Sequence, residues 1–371
     1  MSKVMKIVLI VLLVIVLAVV GMGVYVLTNM RAGAVETVEK PVDVAVSQEP
    51  ETITVITDEP TPTPTQMPIY AEDSKSDNIV NILLVGTDSR SAAETQSNEG
   101  RSDSMILASI NTDKGTITLV SFMRDSRVHR IGKSGRFTFF GRLNGAYSGG
   151  YAGGGPGELI NTLNENFKLD IQEYICIGFD GFAALIDKIG GLDVDCDEAE
   201  INFINDRIKG GYINEPDIVL NAKTIKEAPG VLHLDGAQCL IYARNRHTGF
   251  DGGSGSDYDR VNRQQEIIQL AFEKVTKQMN EQSVLALISF ATNYVSTNMG
   301  LDTMSELAKI LLTKSMTFTP NVIPAPDTYD NFVDETGEKT DQLEFDLDAA
   351  AAALNALLYG DSFVPTPTPA Q

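Results

Sequence analysis

The sequence predicts an α/β domain, a central β-sheet with helices on both faces, preceded by one N-terminal transmembrane helix. Three observations carry that reading. Apolar runs that end at glycine alternate with amphipathic stretches over residues 79–358. No Pro-rich break divides that span, so it reads as one domain. A charge-free run stands near the start of the chain.

That run, IVLIVLLVIVLAVVGMGVYVLT, covers residues 7–28 and is long enough to cross a bilayer as a helix. Lys3 and Lys6 precede it, so residues 1–6 are expected in the cytoplasm and the remainder outside the cell. The rival reading is a cleaved signal peptide with Ala32-Gly33-Ala34 as its processing site, although a signal core is normally only about 7–15 residues. Residues 32–78 read as an extracellular linker. They hold ten acids against two bases and the run EPTPTPTQMP, whose prolines keep it extended. Residues 359–371, ending in PTPTPAQ, read as a tail of the same kind.

The strands and helices follow in order. IVNILLVG (79–86) is a continuous apolar run and predicts a buried strand. MILASIN (105–111) and ITLVSFM (117–123) flank Thr112-Asp113-Lys114-Gly115 and predict a hairpin. GPGELINTLNENF (155–167) predicts a helix and EYICIGF (173–179) another buried strand. In GFAALIDKIGG the apolar residues Phe182, Leu185, Ile186 and Ile189 fall at helical spacing, and Gly190-Gly191 ends the helix. LDVDC predicts a strand, and HLDGAQCLIYARNR a short helix turning into a strand. Residues 260–279 predict a long helix, and SVLALISFATNYV and MSELAKILLT two more. Cys176, Cys196 and Cys239 make an odd count without metal-site spacing. They read as buried thiols in strands, with one disulfide as the alternative.

Charge is distributed unevenly. The net charge of the 371 residues is −21, yet residues 121–150 hold six bases and one acid. Between Arg244 and Arg263 there are four arginines around the Gly-rich loop GFDGGSGS. Arg244 and Arg246 share a side of an extended chain, and Arg260 and Arg263 share a side of a helix. Arg124 and Arg142 add two more near predicted strand ends. A guanidinium there is either a solvated surface group or a fork onto phosphate oxygens. Asp88 in GTDSR and Asp103 in RSDSM sit beside predicted strands. They either cap local turns or act as the pair of hard oxygen ligands that suits Mg²⁺ beside a phosphate. The three histidines form no zinc pair, GGYAGGGPG lacks the Gly-Lys-Ser/Thr of a P-loop, and no GxSxG elbow is present. What remains is phosphate chemistry by positioning and charge.

GTDSR, RSDSM, SFMRDS, RLNGAY, EYICIGFDGFAALIDKIGGLDVDC, LDGAQCLIYARNR and DYDRVNRQQ occur in the order of the LytR-CpsA-Psr family, which the chain resembles over about residues 79–280. The resemblance implies an α/β/α fold with an apolar tunnel. It implies an enzyme that moves a glycopolymer from a polyprenyl-pyrophosphate carrier onto peptidoglycan through a phosphodiester link. By motif position, Asp88 and Asp103 match Mg²⁺-linked aspartates. Arg124, Arg142, Arg244, Arg246, Arg260 and Gln264 match pyrophosphate-site residues, with Arg90 and Arg263 added as substrate-binding candidates. Arg124, Arg244, Arg246 and Asp257 are the catalytic candidates. Asp257 is the candidate base, with Asp259 its competitor and an N-cap role open for either. The stripe of Phe179, Phe182, Leu185, Ile186 and Ile189 is either plain core or lipid contact. Arg142 stands where the family often has lysine, Met123 where it often has proline, and the loop between Arg246 and Arg260 is longer than usual. The expected place is the cell membrane, single-pass, with peptidoglycan as a partner and no nucleic acid. The rival functions are a polyprenyl-pyrophosphate hydrolase, an inactive wall-binding module and a transcription attenuator; for the last, no helix-turn-helix is evident.

Overall fold

The structure is a computed structural model that describes residues 78–360 except 99, 132–136, 149–153, 211–218, 220–221, 251–254, 279–289, 291–292 and 300–315. The apolar segment 7–28, most of the linker, the tail and the helix predicted at MSELAKILLT lie outside the described residues, as does most of SVLALISFATNYV. Among the described residues no helix is long and apolar enough to cross a membrane.

The first apolar run forms β1 (Ile79–Thr87), and the predicted hairpin forms β2 (Ser102–Asn111) and β3 (Thr116–Phe122). Its turn closes because the Asn111 side-chain oxygen accepts the backbone N–H groups of Asp113 and Lys114, at 3.2 and 2.8 Å. Gly115 takes the positive φ the turn requires, 64°. EYICI forms β6 (Glu173–Ile177), parallel to β1. With β9 (Val295–Thr297) and β10 (Thr317–Ile323) these make a six-stranded mixed sheet in the order β10-β3-β2-β1-β6-β9. SVLALISFATNYV therefore ends in a strand, since its last residue, Val295, pairs with Ile177.

Alternation along the strands divides the core in two. Leu83, Met105, Leu107 and Cys176 face one side and pack on α2 (Asn144–Ser148), α3 (Gly155–Phe167) and α8 (Leu347–Tyr359), through Tyr147, Leu163, Phe167 and Leu358. On the other side stand α4 (Phe179–Lys188), α5 (Glu198–Ile208), α6 (Gly236–Ala243) and α7 (Asp257–Gln278), with the hairpin of β7 (Leu192–Cys196) and β8 (Gly230–Leu234). The helices thus flank both faces, as the sequence predicts. Two further hairpins, β4 (Arg127–Ile131) with β5 (Phe137–Arg142) and β11 (Asp330–Val333) with β12 (Lys339–Glu344), have no counterpart in the sequence reading. Nor does α1 (Ala92–Gln96).

One expected element is reversed. HLDGAQCLIYARNR is strand first and helix second, because Asp235 starts a helix directly after β8. Its carboxylate accepts the Gln238 N–H at 2.9 Å, and the Gln238 side chain accepts the Asp235 N–H at 2.9 Å, a complete capping box. The β-branched and aromatic letters of LIYA suggest a strand, yet tertiary burial on all sides keeps them helical. Gly236 lets this helix dock on α4, since a Cβ there would overlap the Ala183 carbonyl.

The three thiols are free and buried, and Cys239 lies in a helix rather than a strand. Burial disfavours the thiolate and pushes both Cys176 and Cys196 up to about 12, and raises Cys239 as well. In the native protein at pH 8 none should react with a thiol reagent on the timescale of mixing. Titration in denaturant should release three equivalents, and a native count above zero would contradict this packing.

Candidate functional site

Between the sheet and helices α4, α6 and α7 lies a cavity of about 470 Å³. Its inner wall is apolar: Leu84, Ile106 and Ile175 come from the sheet, Phe182 and Ile186 from α4, and Ile267 and Ala271 from α7. The three strand residues lie on the sheet face opposite the first core, so the cavity follows from the same alternation that builds the sheet. Its other end is charged. Asp103 on β2, Arg124 just after β3, Arg244 and Arg246 just after α6, and Arg260 and Gln264 on α7 all line it.

The charged end is a network centred on Asp257, the first residue of α7. Its carboxylate lies 3.3 Å from Arg260 Nη1, 3.8 Å from Arg246 Nη1 and 3.9 Å from Arg124 Nη2. Arg124 also donates to Asp103 at 3.2 Å and to Asp125 at 3.1 Å. Burial alone would lower the Arg124 pKa, but Asp125, Asp257 and Asp103 outweigh it and hold the guanidinium above its ordinary value. Arg260 is shifted the other way. Burial lowers it, Arg124 and Arg246 add repulsion, and Asp257 only partly offsets them. Its Nε is buried without a hydrogen bond, as is Asp257 Oδ1. Arg244 spreads its guanidinium over the Phe179 ring, 4.5 Å from the centroid. Four guanidiniums thus stand together with three carboxylates in a half-buried pocket.

The other sequence candidates fall outside this wall. Asp88 stands at the end of β1 and accepts the Arg101 N–H at 2.6 Å, with Arg101 Nε 3.4 Å away. Arg142 is half-exposed and bridges Asp125 and Asp341, each at 3.4 Å, so it touches the network through Asp125. Arg90 is exposed beyond β1. Asp259 is committed to the loop before α7, where it binds the Ser256 hydroxyl and accepts the Phe250 N–H at 2.7 Å. Burial would raise its pKa, but these hydrogen bonds hold it below the ordinary value.

Two expectations about the arginines need correction. Arg244 and Arg246 do not share a side of an extended strand. Arg244 has helical dihedrals at the end of α6, and the chain turns there. Arg263 does not share a ligand face with Arg260. It is fully buried and donates through Nε and Nη2 to Glu200 Oε1 at 2.9 and 2.8 Å, and to the backbone oxygens of Asn245 and Gly249 at 3.1 and 3.0 Å. It holds the segment that carries Arg244 and Arg246 rather than the ligand. On α7 it is Gln264, four residues after Arg260, that shares the cavity side.

Sequence reasoning passed over Phe203, Arg207 and His247, which also line the cavity. The box Asp197-x-x-Glu200, which starts α5, was a usable signal for where Phe203 and Arg207 stand. Nothing in the spacing pairs α5 with His247.

Breaking a buried ion pair by removing one partner typically costs about 3–5 kcal/mol. Arg263→Ala should therefore lower the unfolding free energy by about that much in chemical denaturation. A loss below about 1 kcal/mol, the range of exposed pairs, would show that Arg263 is not the clamp.

The teichoic acid transferase TagV of Bacillus subtilis, named polyisoprenyl-teichoic acid–peptidoglycan teichoic acid transferase, is 29% identical over 219 residues, covering 59% of this chain and 49% of the relative. The chain spans about half the length of such curated relatives. Among solved structures, protein gbs0355 of Streptococcus agalactiae superposes with a TM-score of 0.58 at 23% identity, covering 78% of this chain and 90% of that one. A TagT structure with bound octaprenyl pyrophosphate lipid superposes with a TM-score of 0.50 at 17% identity, covering 76% and 91%. These structures share the fold. The model of the LytR_cpsA_psr family matches residues 42–344, and the chain belongs to that family.

Proposed function

We propose that this protein is a phosphotransferase that moves a glycopolymer from a polyprenyl-pyrophosphate carrier to peptidoglycan. The carrying observation is the division of one cavity into an apolar interior and an end with four arginines. A polyprenyl diphosphate is divided in the same way. The bound lipid of the TagT structure and the transferase activity for which TagV is named support the reading. Residues 7–28 would anchor the chain as a single-pass membrane protein with the catalytic domain outside the cell, where peptidoglycan is.

The apolar wall takes the prenyl chain and excludes water from it. Arg124, Arg244, Arg246 and Arg260 take the diphosphate oxygens, replacing part of their pairing with Asp257. The acceptor hydroxyl attacks the phosphorus nearest the sugar. A P–O bond forms there, the bond from that phosphorus to the bridging oxygen breaks, and polyprenyl phosphate leaves with the electron pair. Arginine donors meet the charge that grows on that leaving oxygen. Asp257 sits among these groups and takes the hydroxyl proton, whereas Asp259 is spent on its loop. Asp103 and Asp88 lie at adjacent strand ends, both partly exposed, as Thr87 pairs with Ser102. Two hard carboxylates at neighbouring strand ends, Asp103 in the cavity wall and Asp88 just outside it, would suit Mg²⁺, which would screen charge on the diphosphate.

The test is a purified-protein assay with a polyprenyl-diphosphate glycan, with and without peptidoglycan. Phosphodiester-linked product and released polyprenyl phosphate should appear together. Release that is independent of peptidoglycan would make the protein a hydrolase instead. Arg244→Ala or Arg246→Ala should cost on the order of 3 kcal/mol in the transition state, about a hundredfold in rate. Asp257→Asn should bind the lipid diphosphate at least as tightly, since the arginines lose a competing anion, and slow transfer; normal transfer would remove Asp257 as the base. Asp103→Ala should abolish the Mg²⁺ stimulation of the rate, and full EDTA-sensitive activity would exclude it as a ligand.

A further inference from the structure

Outside the cavity, the hairpins β4–β5 and β11–β12, which the proposed reaction leaves unused, join into one surface. Leu343 of β12 donates its N–H to the Asp125 carbonyl at 2.9 Å and bridges to Ser126, directly before β4. Five large apolar side chains stand exposed among the described residues, and three of them, Phe139, Phe140 and Val333, lie on these hairpins. Single exposed apolar groups need no explanation, whereas a gathering of them does.

Strand alternation sorts the first hairpin into two sides. Val128 and Arg130 turn inward, where Arg130 pairs with the buried Glu158 at 2.6 Å. Arg127 and His129 turn outward, and the register sets Arg142 opposite Arg127 and Phe140 opposite His129. The outward side therefore carries these four residues together. Arg127 also lies between two rings. Its Cζ is 4.5 Å from the Phe140 centroid and 3.8 Å from that of Phe332 on β11. The His129 ring meets Phe140 edge-on. Contacts from both hairpins thus hold the aromatic groups in place, while Phe140 remains 42% exposed.

Arg127, Phe140, Phe332 and Arg142 are not part of the cavity wall, yet this surface starts at the charged end. Arg142 is 3.4 Å from Asp125, and Asp125 is 3.1 Å from Arg124, which pairs with Asp257. Phe140 lies two residues farther along β5, a step of about 7 Å.

The proposed acceptor is a polymer. One of its hydroxyls reacts, and the neighbouring sugars must lie on protein surface outside the cavity, whose interior the lipid fills. Aromatic side chains suit such a chain, because sugar rings present apolar C–H faces. Charge is complementary as well. Peptidoglycan carries the carboxylates of its peptides, and residues 121–150 hold six bases and one acid in a chain of net charge −21. The pairing of Arg142 with the exposed Asp341 is weak in water and can exchange for a carboxylate of the polymer.

We infer that the outward side of β4–β5, completed by Phe332, is a docking surface for the glycan chain of the acceptor. This rests on the reading of the protein as a transferase to peptidoglycan. The surface holds sugars beyond the reacting one, so it sets the affinity for long acceptors and leaves the chemical step alone.

The experiment measures binding of two soluble peptidoglycan fragments, a single disaccharide-peptide and an uncrosslinked chain of several such units, to the wild type, Phe140→Ala and Phe332→Ala. The wild type should bind the long fragment more tightly. Each variant should weaken the long fragment about fivefold, the loss of one aromatic contact, and leave the short one within about twofold. Phe140→Tyr, which keeps the ring, should bind like the wild type. Equal affinity of the wild type for both fragments, unchanged binding in the variants, or equal weakening of both fragments each overturns the surface. Phosphatidylglycerol vesicles are the control. If the Ala variants lose vesicle binding and keep glycan binding, the face meets a membrane instead. Transfer from a polyprenyl-diphosphate glycan is measured separately. Long fragments that bind as expected but receive no glycan would sink the transferase reading and leave the docking surface standing. Melting temperatures within a few degrees of the wild type establish that the variants are folded.

Discussion

The Arg263–Glu200 pair is the contact on which the site depends. A fully buried guanidinium is tolerated only when its donors are spent, and here they go to one carboxylate, two backbone oxygens and the Thr248 hydroxyl. Those oxygens belong to residues 245–249, directly after the helix that ends at Arg244. The carboxylate belongs to α5, and the guanidinium to α7. Three elements distant in sequence are thereby held at one point. The ligand-facing arginines need not find their own geometry, because the backbone beneath them is already pinned. A cluster of like charges would otherwise spread apart, so a rigid support is the condition for bringing them together.

The second constraint is electrostatic. At an effective dielectric constant near 20, unit charges 4 Å apart interact by about 4 kcal/mol. Arg124, Arg246 and Arg260 therefore repel one another unless an anion stands between them. Asp257 is that anion in the free protein, within 3.3 to 3.9 Å of all three. A diphosphate, with more charge and more acceptor oxygens, can take over part of this role. The buried Arg260 Nε, which has no hydrogen bond here, marks a donor not yet used by the protein. The net charge of −21 does not oppose this, because attraction or repulsion between exposed charges fades within about 10 Å in salt solution.

Legibility in the sequence followed locality. β1, the β2–β3 hairpin, α3, β6, α4 and the long helix at Arg260 each carry their own signal, in periodicity, an apolar run or a turn, and each forms where it is predicted. LIYA misled because its residues favour strands by local preference, while the capping box of Asp235 and Gln238 and complete burial decided for helix. The hairpin β11–β12 is mostly polar or charged and lacks buried residues, and β4 and β5, RVHRI and FTFFGR, mix arginine, histidine and phenylalanine, so neither hairpin shows the sustained alternation that marks a buried strand. The wall residues Arg124, Arg244, Arg246, Arg260 and Gln264 were legible from motif order. Arg263 was misassigned by helical spacing, which puts it on the same broad side as Arg260, whereas its pairing with Glu200, 63 residues earlier, turns it into the protein.

That misassignment also shows why charge counting alone could not delimit the site. Arg260 and Arg263 have the same chemistry, the same helix and nearly the same sequence context. One faces Asp257 at the cavity end and carries an unspent donor, while the other is saturated by groups that never meet a ligand. Their difference is one of remaining valence: an arginine can serve a substrate only with donors that the fold has not consumed. By the same criterion Asp257, ion-paired with arginines but with a buried oxygen lacking a hydrogen bond, keeps room for a further donor, whereas Asp259 is bonded to Ser256 and Phe250. In this family member the charged end of the cavity is thus defined less by where charges gather than by which of them the scaffold leaves incompletely satisfied.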